Sequence, residues 1–219
     1  MISVGGRLER LGAAAGIVGP ILLALYFGAP AVTGWPYSGA SPDALTEYAR
    51  SHALLFYLGG WLQATGSVLS VIFFLVLLQA SSRRNEFEGA IVLMGAAVLL
   101  AIVLVEAALL EAVPIAAAAG DRATVATTFA LSNGVFARIF PLAPAPLIFA
   151  GIGVALRGGR VLPAGFGSAA LVIAALFVLA GILAIFGTVG LILAIVMSIV
   201  EAVWILAAGI AFAIHASHR

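Results

Sequence analysis

The sequence predicts an all-α fold: one polytopic transmembrane bundle of six helices, with the N-terminus and C-terminus cytoplasmic. Three observations carry that expectation. Hydrophobic residues make up 64% of the 219 and charged residues only 9%, with a mean hydropathy of +1.24. Ordinary globular domains carry about 25% charged residues and have nowhere to bury so much apolar surface. Apolar runs of roughly 20 residues, enough at 1.5 Å per residue to cross a hydrocarbon core of about 30 Å, recur along almost the whole chain. Arginine, finally, is distributed in the alternating pattern that sets membrane orientation.

A single domain over 1–219 is expected, with spans at 9–29, 53–80, 89–113, 124–156, 164–186 and 190–215. Arg7 and Arg10 precede the apolar run from Leu11 to Gly28, and Ala29-Pro30-Ala31 after it mimics a small-residue cleavage site. The run from Leu11 to Gly28 is long for a signal-peptide core, so it reads as an uncleaved span. The loop that follows contains Ser41-Pro42-Asp43-Ala44-Leu45-Thr46-Glu47-Tyr48, a helix start with Ser as N-cap, Pro at the first position and acids in the first turn. A short interfacial helix over 42–51 follows, with Leu45, Tyr48 and Ala49 on one face. Trp35, Tyr37, Tyr57 and Trp61 read as headgroup-level anchors. The third span is expected to stop at Pro114, and the fourth to be interrupted by Pro141, Pro144 and Pro146. A tight turn at Gly187-Thr188-Val189-Gly190 separates the last two.

Orientation follows from the arginines. With a cytoplasmic N-terminus, the inner segments hold seven (Arg7, Arg10, Arg83, Arg84, Arg157, Arg160, Arg219) and the outer loops two, Arg50 and Arg122. The positive-inside rule therefore places the chain in a bacterial plasma membrane with both ends inside. LVEAALL at 104–110 echoes IVEAVWI at 199–205, placing a Val-Glu-Ala in the third span of each half. Two halves of three spans would form an inverted repeat.

Ten arginines, no lysine and a net charge of +1 provide no concentrated basic face, which excludes nucleic acid as a partner. Without cysteine there is no disulfide framework, thiolate metal site or thiol nucleophile. His52 falls near one surface, whereas His215 and His218 end the chain on the other, so they cannot share a haem or metal. No HExxH, phosphate-binding glycine loop or nucleophile elbow is present. No cofactor is expected, and the reading is not that of an enzyme.

The informative residues are the polar ones inside the spans: Glu106, Glu111, Arg138 and Glu201, accompanied by Gln63, Asn133 and Ser198. Charge in a bilayer is costly enough that such groups normally face the bundle interior and pair. Counted from the outer end of each span at 1.5 Å per residue, Glu106 lies roughly 12 Å deep, Glu201 roughly 17 Å and Arg138 roughly 20 Å. Gln63 falls at a similar level, whereas Glu111 sits near the outer boundary. The expectation is that Glu106 and Glu201 meet Arg138 in one layer. The prolines add to it, because they free the carbonyls of Ala137, Phe140 and Leu142, and Arg138 brings five donors to that place. Glu201 shares a face with Met197, Trp204 and Ile205 at helical spacing. Three acids against one base also imply a missing cation or proton. A ligand site of Glu106, Arg138 and Glu201, lined by Gln63, Asn133 and Trp204, follows. Small-residue spacings such as Gly12/Gly16 and Gly151/Ala155 read as close helix packing.

VEAALL at 105–110, LPAGFGSAALVIAAL at 162–176 and VEAVWILAAG at 200–209 resemble a family of small bacterial six-span integral membrane proteins with no assigned function. The resemblance implies the six-span architecture and directs attention to Glu106 and Glu201. Where family members often carry a histidine in the fourth span, this chain has Asn133-Gly134. Three functions are compatible with these residues. The first is binding, transport or sensing of a small molecule or lipid. The second is an accessory subunit whose buried ion pairs only fix helix packing. The third is a membrane-embedded lipid enzyme, for which no nucleophile–base pair is visible. Membrane lipids and a small-molecule ligand are the expected partners, and oligomerisation is compatible with the sequence.

Overall fold

A computed structural model describes residues 4–36, 39–158 and 161–217. Tyr37, Arg160, His218 and Arg219 lie outside the described residues. The chain is all-helical, with no strand among the described residues. Its helices are α1 (Val4–Thr33), α2 (Pro42–Ser51), α3 (Ala53–Ala80), α4 (Phe87–Ala119), α5 (Arg122–Gly134), α6 (Pro144–Leu156), α7 (Ala164–Leu183) and α8 (Thr188–Ser217). A π-helical turn, Val135–Ile139, follows α5, and a 3-10 turn, Ala184–Phe186, follows α7. Six segments are long and apolar enough to cross a membrane: Gly6–Ala29, Ala53–Ala80, Phe87–Ala119, Arg122–Leu156, Ala164–Phe186 and Val189–His215. The protein is a multi-pass membrane protein.

Two boundaries differ instructively from expectation. Helix α4 does not stop at Pro114 but runs through it to Ala119. In hydrocarbon the backbone has no water to turn to, so continuing the helix and losing one hydrogen bond is the cheaper course. Gly120, in the left-handed conformation at φ 78°, ends it by donating its N–H to Ala116 and Ala117 carbonyls. The three later prolines do break their helix. The gap between the π turn and α6 is closed by local bonds: Leu142 and Ala143 N–H donate to the Ile139 carbonyl, and Ala145 N–H reaches Phe140.

Helix α2 forms as its sequence dictates, with Ser41 Oγ accepting from Ala44 N–H and Pro42 at the first position. It is docked rather than loosely interfacial. Leu45 and Ala49 are buried with Phe56, Leu110, Val113, Val125 and Phe129. Arg50 Nε donates to the Ala117 carbonyl at 2.8 Å, and an exposed ion pair joins Asp43 to Arg122 at 2.6 Å. Asp121 caps α5; the Thr124 hydroxyl and backbone N–H donate to its carboxylate and hold its pKa below the usual range. Tyr57 and Trp61 are exposed, as anchors should be. Trp35 is not such an anchor: its ring packs against Tyr48, Phe56 and Phe129, because a large aromatic surface finds its best burial there.

Small residues set the helix contacts. Gly16 lies against Phe73 and Gly12 against Val76, joining α1 to α3. Gly209 of α8 lies so close to α1 that an added Cβ would sit 2.5 Å from the Gly16 carbonyl oxygen. Exchanging the two three-span halves maps the α1–α3 contact onto α6–α7, α3–α4 onto α7–α8, and α1–α8 onto α6–α4, and each of these pairs packs. The neighbour pattern is the one an inverted repeat gives. Because backbone cannot retreat as a side chain can, Gly209→Val is expected to lower the denaturation midpoint in detergent by the roughly 1–3 kcal/mol typical of overpacking. Gly28→Val, at a position with open space around it, is expected to stay within about 0.5 kcal/mol of the parent. A thermal melt of both variants checks the pair.

Candidate functional site

Helix α3 carries Gln63, Ser67 and Ser70 at intervals of four and three residues, so all three fall on one face. All are buried, as are Glu106 on α4 and Ser198 and Glu201 on α8. These six side chains line one small chamber of about 30 Å³, together with Leu23, Phe27, Phe136 and Phe140 among others. Ser70 and Ser198 donate their hydroxyls back to the Gly66 and Ala194 carbonyls, the usual way a serine is satisfied within a helix. Gln63 gives a hydrogen bond to the Glu106 carboxyl, and Tyr26 Oη donates to Glu106 Oε1 at 3.4 Å. Gln63 Oε1 is the buried side-chain atom without any partner among the described residues. The Glu201 carboxyl forms no hydrogen bond or ion pair among them either.

Glu106 also borders a second, larger space. A cavity of about 160 Å³ adjoins it, lined mainly by apolar side chains. Tyr26, Phe27, Trp35, Phe56 and Phe136 supply aromatic walls; Thr33, Ser132, Asn133 and Glu106 supply the polar groups. Tyr48 Oη donates to Thr33 Oγ1, tying α2 to the end of α1 at the rim. We call this space the vestibule. Glu106, Phe27 and Phe136 line both spaces, so the carboxyl of Glu106 stands at their junction.

The residues predicted to form one layer separate as follows. Gln63, Glu106 and Glu201 come together in the chamber, and Asn133 joins Glu106 in the vestibule while donating to the Phe129 carbonyl. Arg138 does not join them. It is exposed and takes part in none of the ion pairs among the described residues, all of which lie in loops or at helix ends. Nor does it cap the freed carbonyls. The reason is helical phase: Phe136 and Phe140 both face inward and stack at 6.0 Å, and the residue midway between them points to the opposite side, where Arg138 is exposed. Burying two phenyl rings outweighs turning in a guanidinium. Trp204 also leaves the site. Its Nε1–H donates to the Phe166 carbonyl at 3.2 Å and its ring packs among Phe74, Phe149 and Phe166. The expected face of Met197, Glu201, Trp204 and Ile205 is real, since all four are buried. Glu111 is exposed, but because α4 continues to Ala119 it does not stand near the helix end as expected.

Sequence reasoning missed Tyr26, Ser67, Ser70 and the role of Trp35. The first two serines were readable as a polar stripe with Gln63; Tyr26 and Trp35 carried no such signal. No His/Cys/Asp/Glu group of three or more that could hold a metal is found among the described residues. No family model, curated protein or solved structure matches the chain.

That no guanidinium among the described residues pairs with Glu106 has a measurable consequence. A double-mutant cycle on Arg138→Gln and Glu106→Gln, read by denaturation midpoints, is expected to give a coupling within about 0.5 kcal/mol of zero, the behaviour of residues without a shared partner. A coupling of several kcal/mol would show that the two meet.

Proposed function

We propose that this protein binds a small amphipathic organic molecule in the vestibule, with an amine or other cationic head directed at Glu106, as a transporter or sensor in a bacterial plasma membrane. The observation that carries this reading is a largely apolar, aromatic-walled cavity ending on a buried carboxyl that has no basic neighbour. Apolar walls take up an apolar body, and a few polar groups fix its orientation. Aromatic faces and a carboxylate both attract a cation, more strongly where water is excluded. The size is suitable for a small ring, because an apolar cavity of about 150 Å³ accommodates benzene. The reading as a structural subunit loses its main support, since the buried ion pairs it required are not found among the described residues.

Three probes that share a ring and differ in their head test the proposal: benzylammonium, benzyl alcohol and benzoate, added to the purified protein in detergent at neutral pH. Benzylammonium is expected to raise the melting temperature saturably, benzyl alcohol less, and benzoate not at all. Glu106→Gln should remove the preference for the ammonium while retaining the response to the alcohol. Gly59→Leu, which fills the vestibule wall, should weaken both. Equal responses to all three heads, or a response that survives the filled cavity, would contradict the proposal.

A further inference from the structure

The chamber behind Glu106 calls for an occupant of its own. Its polar lining consists of oxygen-bearing side chains: the carboxyls of Glu106 and Glu201, the amide oxygen of Gln63 and the hydroxyls of Ser67, Ser70 and Ser198. The last two hydroxyls already give their protons to backbone carbonyls and so face the chamber as acceptors. Gln63 has its own donor end engaged with Glu106, which leaves Oε1 sealed from solvent with nothing to accept from. The surroundings therefore have an excess of acceptors, two formal negative charges and, among the described residues, no arginine. Buried polar groups in folded proteins are partnered with few exceptions, and an orphan often marks an absent ion or water.

We infer that the chamber formed by Gln63, Glu106, Ser198 and Glu201 is a binding site for a single sodium-sized monovalent cation. Hard cations take oxygen ligands, carboxylate, carbonyl and hydroxyl alike. A volume of about 30 Å³, against the roughly 10–15 Å³ that one water needs and the about 150 Å³ of a cavity that takes benzene, admits a small ion and excludes an organic cation. The charge balance favours the ion, because it offsets carboxylates that hydrocarbon would otherwise penalise heavily. The site is distinct from the vestibule, to which Gln63, Ser198 and Glu201 contribute nothing. The two share only the Glu106 carboxyl among their charged groups. A cation in the chamber and a cationic head in the vestibule consequently draw on the same charge, and occupancy of one alters affinity for the other, as linkage requires.

Sodium itself is the probe. Melting temperature and equilibrium binding of radioactive sodium are measured on the purified full chain, with N-methylglucamine chloride holding ionic strength constant. The expected results are a saturable rise of melting temperature with sodium, one bound ion per chain, and loss of both in Glu201→Gln and in Gln63→Leu. Either variant suffices should the other fail to fold. The benzylammonium response, measured without sodium, is expected to persist in Glu201→Gln, so failure of the ion site and failure of the vestibule reading are separable. Identical melting in sodium and N-methylglucamine, or a sodium response unchanged in both variants, would overturn the inference and leave the chamber to water alone.

Discussion

Two carboxyl side chains are buried within this bundle without a positive charge among the described residues to meet them, and the remaining features of the site follow from that. Glu106 and Glu201 come from the third span of each half, carried there by helices that are apolar over almost their whole length. Charge at such a depth costs several kcal/mol even on lenient scales, so the fold has to supply hydrogen bonds, an ion or a proton. It supplies Tyr26 and Gln63 to Glu106 alone. The remaining demand is what makes the chamber and the vestibule chemically specific: both offer negative charge and lone pairs, and neither offers a base.

The placement of those carboxyls depends on close backbone packing elsewhere. Contacts at Gly12, Gly16 and Gly209 pull α1 against α3 and α8, as small residues do where lipid removes any hydrophobic drive for helices to associate. The π turn and the proline-closed bend in the fourth span then put Phe136 and Phe140 on the inner side. Those rings line the chamber, and Phe136 reaches the vestibule as well. A π segment bordering both spaces matches the frequent occurrence of such turns at functional sites. Trp35 and Thr33 line the vestibule, and Tyr48 of α2 packs on the first and hydrogen-bonds to the second, so the short extramembrane helix supports the site's wall.

The architecture was legible because hydrophobic run length has one meaning in a bilayer, and the caps at Ser41 and Gly187 mark turns by local chemistry. Glu106, Glu201 and Gln63 were legible for a related reason: polar groups in such runs stand out, and depth counting is insensitive to small errors. Arg138 shows the limit of that counting. Depth along a helix axis says nothing about direction around it, and direction was decided by two phenylalanines competing for the same inner face. Pro114 makes a similar point, since its effect on the chain depends on whether leaving one carbonyl without its donor costs less than ending the helix. Tyr26 and Trp35 were invisible because aromatics near an interface look alike whether they anchor to headgroups or wall a cavity.

The most direct test of the central claim is the stability of the doubly substituted Glu106→Gln, Glu201→Gln protein in sodium-free detergent solution. If the carboxyls are buried without a basic partner, removing both charges while keeping their shape leaves the denaturation midpoint equal to or above that of the parent. A loss of about 3–5 kcal/mol, the signature of a broken buried ion pair, would mean that a cation of the protein does meet them, and the account given for both cavities would be wrong.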